Sequence, residues 1–325
     1  MRRRRFFCIS FFVSLTAAFF AALPAAAQLR PQQEKRIEAA LPRKAPAEPK
    51  KPRLVLIWNT PYMERSPHKG FSIPQGAYAM RRLGEKTGAF RSIVSDDIRL
   101  LMPDRIKRFD CIVMNNSSGP WTWPTDEAMK NFPGMSKEEV QKRIRTGFLK
   151  YVREGGGIVA YHYSIGADRN WPEFYELLGA RYWGHPWNEE VGVRVEEPDH
   201  PLLAAFEGKN FRIAEEIFQF RDPYSRRKVR VLLSLDTAAT NMKVKWIHRT
   251  DNDFALAWVK RYGAGRVFYC AFGHRTEIWW NPKILGFYLA AIQWAAGDLE
   301  APADPRPPGT KEEKQPAPKV RSEET

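Results

Sequence analysis

Gly155-Gly156-Gly157-Ile158-Val159-Ala160-Tyr161-His162 decides how the rest of this chain is read. Three glycines stop whatever regular structure precedes them. The short apolar run after them has no polar alternation, so it reads as a strand buried on both faces, the kind found in parallel sheets. A histidine stands at its exit. Upstream, Ser136 with Glu139 three residues later is a capping box, and the spacing predicts a helix from there to about Arg153. Further upstream, Leu54-Val55-Leu56-Ile57-Trp58, Phe90 to Val94 and Phe109 to Met114 read as strands, with a helix over 75–87 carrying Ala79, Met80 and Leu83 on one side. Strand and helix alternating at this spacing predict an α/β domain whose parallel sheet is covered on both faces. Downstream the rhythm changes. Val191 to Val195, Val229 to Leu235, Ala255 to Lys260 and Arg266 to Ala271 are strands with few long helices between them, and Gly263-Ala264-Gly265 reads as a hairpin turn. A final helix runs from Pro282 to Trp294. One α/β domain with a strand-rich edge or insertion is therefore expected over 54–298, without internal repeats.

The 325 residues carry a formal net charge of +15, with 43% hydrophobic and 27% charged residues, a globular composition. The charge lies mostly outside the expected domain. Arg2 to Arg5 hold four positive charges, and 28–53 holds eight Lys/Arg against three Glu. The 54–298 stretch keeps only +7, and no groove-reading motif is visible, so a nucleic-acid partner is not expected.

The four arginines, the apolar run from Phe6 to Leu23 and the small residues Ala25-Ala26-Ala27 form an export signal with cleavage expected after Ala27. A retained anchor is the alternative, because the run is about long enough to span a bilayer. With the signal removed, no integral membrane span is expected, and the protein would be periplasmic or extracellular. The Pro-, Lys- and Glu-rich stretches 28–53 and 299–325 read as a disordered basic linker and a disordered tail. Cys8 leaves with the signal. Cys111 and Cys270 sit in buried-strand patterns and are expected as free thiols, a disulfide requiring that their strands be neighbours.

Ligands of open parallel sheets bind beyond the carboxyl ends of the strands. The first strand is followed by Asn59, Thr60 and a loop to His68; the third by Asn115, Asn116 and Ser117; the fourth by His162, Tyr163 and Ser164; the last by Gly273, His274, Arg275, Thr276 and Glu277. Two of only six histidines fall at the ends of core strands.

Taken in order, several stretches resemble the ThuA-like family of trehalose-utilisation proteins over roughly 53–297. They are Gly155 to His162, Trp171-Pro172-Glu173-Phe174-Tyr175-Glu176-Leu177-Leu178-Gly179-Ala180, Gly184-His185-Pro186, Glu197-Pro198-Asp199-His200-Pro201, Glu215-Glu216, Gly265-Arg266-Val267-Phe268-Tyr269 and Gly273-His274. The resemblance implies a flavodoxin-like, three-layer, doubly wound fold of the class I glutamine amidotransferase-like type, and a role in carbohydrate utilisation. Amidotransferases place a nucleophilic Cys on a sharp turn after a strand; here that strand runs into His162. Their late His and Glu resemble His274 and Glu277, with one extra residue between them. Without the thiol, glutaminase chemistry is not expected.

His162 and His274 with Glu216 or Glu277 are therefore the candidate catalytic groups, suited to proton transfer on a sugar. A divalent metal such as zinc held by His162, His185 and His274 is the other expectation. Asn116, Tyr163, His185 and Trp187 are candidate substrate contacts, since aromatic faces suit sugar rings and amides suit hydroxyls. A glycosidase built on Glu215, Glu216 and Glu277 remains open. His200 is expected in a turn and His248 at the surface; His68 has no assigned role. A carbohydrate is the expected partner. Three functions stay in play: a sugar-active enzyme, a non-catalytic carbohydrate-binding module, and an interaction domain with basic flanks.

Overall fold

The computed structural model describes residues 29–62, 66, 68 and 72–306. The expected export signal and the last part of the expected tail lie outside the described residues. The strands are β1 Leu54–Trp58, β2 Arg91–Ser95, β3 Cys111–Met114, β4 Gly157–Tyr161, β5 Arg181–Tyr182, β6 Trp187–Val195, β7 Phe211–Ile217, β8 Phe220–Arg221, β9 Arg230–Leu235, β10 Ala255–Tyr262 and β11 Gly265–Cys270. The helices are α1 Pro31–Ala40, α2 Ile73–Thr87, α3 Pro103–Ile106, α4 Asp126–Met129, α5 Lys137–Arg153, α6 Pro172–Leu178 and α7 Pro282–Ala296.

Nine strands form one sheet in the order β2-β1-β3-β4-β11-β10-β9-β6-β7, and β5 pairs with β8 separately. The first five run parallel and the rest antiparallel. The parallel half has the flavodoxin-like order, covered by α2 and α7 on one face and by α5 and α6 on the other. Every residue of β4 is buried, and each such Ile or Val contributes about 1.5–3 kcal/mol relative to exposure. Gly157 lets α7 close on this strand, since a Cβ there would meet the Ala295 carbonyl at 2.4 Å. The Ser136 capping box and the α5 helix form as expected. The hairpin at Gly263-Ala264 joins β10 to β11, with Tyr262 opposite Gly265.

Two expectations are corrected, and the free thiols are met. The 28–53 stretch is not a disordered linker where it is described: α1 buries Ile37, Glu38 bonds Arg82, and Arg53 pairs with Asp110 at 3.0 Å and Asp298 at 2.6 Å. The start of the expected tail is also anchored, with Ala303 buried and Arg306 bonded to Glu196. Cys111 and Cys270 are free and buried on β3 and β11, with β4 between them, so no disulfide joins them. Burial pushes both thiols up, Cys270 to about 12. Three strands were missed: the two-residue β5 and β8, and β7, whose Phe211-Arg212-Ile213-Ala214-Glu215-Glu216-Ile217 alternates between faces.

Candidate metal centre

The carboxyl ends of β1, β4 and β11 converge at the mouth of the parallel half, and β7 reaches it from the antiparallel half. From β4 the chain turns sharply through His162, whose φ is 47°. This left-handed conformation is uncommon outside glycine, and the surroundings hold it. The Tyr269 hydroxyl donates to the His162 carbonyl at 2.8 Å, and the imidazole stacks on Phe218 at 4.4 Å. His162 Nδ1 donates to the Ala271 carbonyl at 2.9 Å. That bond fixes the tautomer and aims the Nε2 lone pair inward, the arrangement by which an outer partner orients a ligating histidine.

Around His162 Nε2 stand three more donors. His68 Nε2 lies at 3.2 Å and Glu216 Oε2 at 3.4 Å. His274 Nδ1 lies 3.0 Å from His68 Nε2 and 3.4 Å from Glu216 Oε2. All four ligand atoms fall within 4.8 Å of one another. Donors bonded tetrahedrally at about 2.0–2.1 Å to one ion would be about 3.3–3.4 Å apart, so the set fits a single divalent cation. Its chemistry, three imidazoles and one carboxylate, suits zinc and its first-row neighbours. Burial lowers the His68 pKa to about 3, with His162 and His274 adding to the effect, and burial lowers that of His162 too. Both are thus neutral, as ligation requires. Burial opposes ionisation of Glu216, but hydrogen bonds with His162 and His274 win and hold its carboxylate below the ordinary range. For His274 burial is likewise outweighed by Glu216, and its pKa rises.

Glu215 and Glu216 are adjacent on β7 and serve opposite sides. Glu216 joins the cluster. Glu215 is fully buried and accepts from the backbone N–H groups of Gly273, His274 and Arg275 at 3.1–3.2 Å, gripping the turn that presents His274. Burial pushes its pKa up to about 7 against those bonds. Gly273, with φ of 145°, passes so close to β4 that a Cβ would meet the Tyr161 ring at 2.9 Å.

His68, His274 and Glu216 open onto a cavity of about 530 Å³, lined also by Tyr62, Ser118, Tyr163, Arg169, Tyr182 and His185. A larger hollow of about 830 Å³ beside the start of β1 and β2, lined by Arg53, Gly84, Phe90 and Ser92, gathers no comparable set of donors.

The candidates from sequence divide as follows. His162, His274 and Glu216 meet in the cluster. His185 does not: its Nε2 is 3.9 Å from Glu216 Oε1 and its Nδ1 bonds the Tyr182 hydroxyl, so it is a cavity wall group, and His68 takes the place assigned to it as a ligand. Tyr163 lines the cavity and its hydroxyl accepts from Arg169 at 2.9 Å. Asn116 is fully buried and lines none of it; its Oδ1 accepts from the Tyr163 N–H at 3.1 Å, so it supports the turn after β4. Trp187 is no substrate contact either. It begins β6 facing the core, against Phe254, with Nε1 bonded to the Asn241 carbonyl. Glu277 lies exposed in the short turn Thr276–Trp280, outside the cluster. With Glu215 buried behind its turn and Glu277 outside, no facing carboxylate pair is assembled at the cavity among the described residues. His200 caps the turn Pro201–Phe206 as expected, and His248 is exposed, stacked on Trp183. His68 carried no signal beyond being a histidine in a loop after β1.

A family model, ThuA, described as trehalose utilisation, matches residues 55–295. No curated protein matches. A ThuA-like protein of Bacteroides uniformis of known structure is 23% identical over 76% of this chain and 93% of its own, with a TM-score of 0.56. Another, from Parabacteroides merdae, is 18% identical over 82% and 100%, with a TM-score of 0.49. The first likeness agrees with the flavodoxin-like, class I glutamine amidotransferase-like sheet described above.

Proposed function

The chain belongs to the ThuA family, and from that premise we propose that it is an exported carbohydrate-active enzyme whose His68, His162, His274 and Glu216 hold one divalent cation of the zinc type. The observation that carries this reading is the convergence of three imidazoles and one carboxylate at the mouth of a cavity large enough for a sugar. Such a cation, when bound, polarises a substrate oxygen or lowers the pKa of a bound water. The chain's own groups do the rest. His162, tied to Ala271, and His274, presented by the turn that Glu215 grips, are fixed before substrate arrives. His185 is the imidazole on the cavity wall in reach of a substrate proton, oriented by Tyr182. The rings of Tyr62, Tyr163 and Tyr182 offer faces to the C–H side of a sugar. Glutaminase activity is not part of the proposal, because the strand that resembles the one preceding the amidotransferase Cys runs into His162 here.

Elemental analysis of untagged residues 28–325 tests the centre. About one metal per chain is expected, lost in His162→Ala, together with metal-dependent turnover of a disaccharide or an oxidised sugar. Protein that stays metal-free after addition of zinc or manganese would sink the reading, and sugar-dependent stabilisation without turnover would leave a binding module in its place. Export rests on Arg2 to Arg5, the apolar run from Phe6 to Leu23 and Ala25-Ala26-Ala27. Amino-terminal sequencing of the native protein tests it, with Gln28 expected first.

A further inference from the structure

Beside the metal cavity lies a second one of about 400 Å³ that shares Arg169 and Tyr182 with it. Arg181 and Arg221 also line this side cavity, and among the described residues no Asp or Glu does. The two arginines are register partners across the antiparallel β5–β8 pair. Like charges placed directly opposite on such a pair repel, and a two-stranded ribbon is a poor place to absorb that cost. Among the described residues none of the three arginines pairs with a carboxylate. Arg181 instead lies over the Tyr175 ring at 5.1 Å, and Arg169 donates to the Tyr163 hydroxyl. A neighbouring cavity of about 590 Å³ provides the contrast. There Arg145 is matched by Asp168 at 2.6 Å. Three guanidinium groups thus line a hollow walled by Tyr175, Tyr182 and Trp183, and fork-shaped donors of this kind match the oxygens of a carboxylate.

We propose that this side cavity is an anionic subsite and that the substrate is an acidic carbohydrate, with a carboxylate-bearing sugar held by Arg169, Arg181 and Arg221 while the neighbouring sugar lies at the metal cluster. The word carbohydrate rests on the function proposed above; the anionic subsite stands on the arginines. A free anion would satisfy the same arginines, so the test separates the two sources.

Calorimetric titration of the full metal-loaded protein with D-glucuronate, D-glucose and inorganic sulfate, in the wild type and in an Arg181→Gln/Arg221→Gln double variant, decides it. Glucuronate should bind at least tenfold more tightly than glucose, and the double variant should lose that preference while keeping its metal. The double variant should also melt no lower than the wild type, because a repulsive pair has been removed. Equal affinity for glucuronate and glucose, a preference that survives in the double variant, or no binding of any probe would overturn the subsite. Sulfate binding that depends on the arginines without any glucuronate preference would assign the cavity to a free anion and overturn the acidic substrate. Failure of the metal reading would show as a metal-free wild type and would leave the glucuronate comparison readable.

Discussion

Two of the buried ionisable clusters among the described residues are built by opposite rules. On the antiparallel half, Glu196 is almost wholly enclosed, and each of its oxygens meets a partner: Arg226 at 3.0 Å and Ser234 at 2.6 Å on one, Arg306 at 3.0 Å on the other. Arg226 continues to Asp253 at 2.8 Å, and Arg230 holds Glu197 at 2.7 Å. Carboxylates and guanidinium groups are matched, and of the Arg226 nitrogens only Nη1 is left without a partner among the described residues. At the mouth of the parallel half, three imidazoles crowd one carboxylate, with the nitrogens at hydrogen-bond distance from one another. His162 Nε2 brings a lone pair and not a proton, because its Nδ1 proton is committed to Ala271. Matched charges lock a fold together; converging lone pairs call for a cation. The lesson is that burial of charge alone does not mark a site. The sign and direction of what converges does.

The largest effect should come from the unmatched cluster. His162→Ala or His274→Ala should lower metal affinity and turnover by more than about 100-fold, beyond what outer-sphere changes cost, with the fold intact by circular dichroism. Turnover that persisted in both would remove the functional half of the comparison. The matched cluster should behave in reverse. Glu196→Ala leaves Arg226 and Arg306 without their shared partner and should destabilise the protein by about 3–5 kcal/mol, read by denaturant unfolding, with metal content unchanged. Its pH dependence follows from the same contacts. Burial would raise the Glu196 pKa, but Arg226, Ser234 and Arg306 prevail and lower it below 4.5. The folded state therefore takes up a proton less readily than the unfolded one. The stabilisation is present above pH 4.5 and drains away as the pH falls through the lowered value, so Glu196→Gln should flatten the acid limb of the stability curve. An acid limb unchanged in that variant would show that the matched cluster is not what fails at low pH.

Much of this was legible in the sequence, and for a physical reason. A parallel strand buried on both faces writes itself as an unbroken apolar run, so β1, β3, β4 and β11 could be placed, and with them His162 and His274 at their exits. The fourth and first ligands were harder. Glu216 was named as a candidate while its strand β7 was not assigned, because a carboxylate pair interrupts the alternation at the point where one side chain turns to the cluster and the other to the 273–275 turn. His68 lies in the loop after β1, and loops have no periodicity to betray which residue folds back over a site. His185 was preferred to it only because recognisable residues flank it. Trp187 was misplaced because an aromatic at a strand end looks the same whether it faces the cavity or the core; the pairing of β6 with β7 decides, and pairing is not local. The stretch 28–53 misled through composition: its lysines are exposed, while Ile37 and Leu41 are buried, Glu38 bonds Arg82, the Ala47 backbone bonds Gln293 and Arg53 pairs with Asp110 and Asp298.

A middling effect should come from Glu215, the carboxylate that positions His274 without touching the cavity. Glu215→Gln keeps the shape but exchanges an acceptor oxygen for a donor amide facing three N–H groups, so the turn must rearrange. Turnover should fall about tenfold, and metal affinity should fall with it, as for other groups that orient a ligand. A loss of stability alone, with affinity intact, would reduce Glu215 to a structural role.

The smallest effect is expected at Glu277, and it is the sharpest check on reading function from spacing. By resemblance to amidotransferases this glutamate should partner His274, yet the residues between them lead into a short turn, Thr276–Trp280, that leaves the carboxylate in solvent, accepting from its neighbour Thr276 at 3.3 Å. The partner that spacing assigned to it is supplied instead by Glu216 from β7, at 3.4 Å from His274 Nδ1. Glu277→Gln should therefore change turnover and metal content by less than about twofold, as expected of an exposed residue outside the site. A hundredfold loss in that variant would mean that the 276–280 turn closes over the cavity during the reaction, and that Glu216 and Glu277 share the work of a single carboxylate.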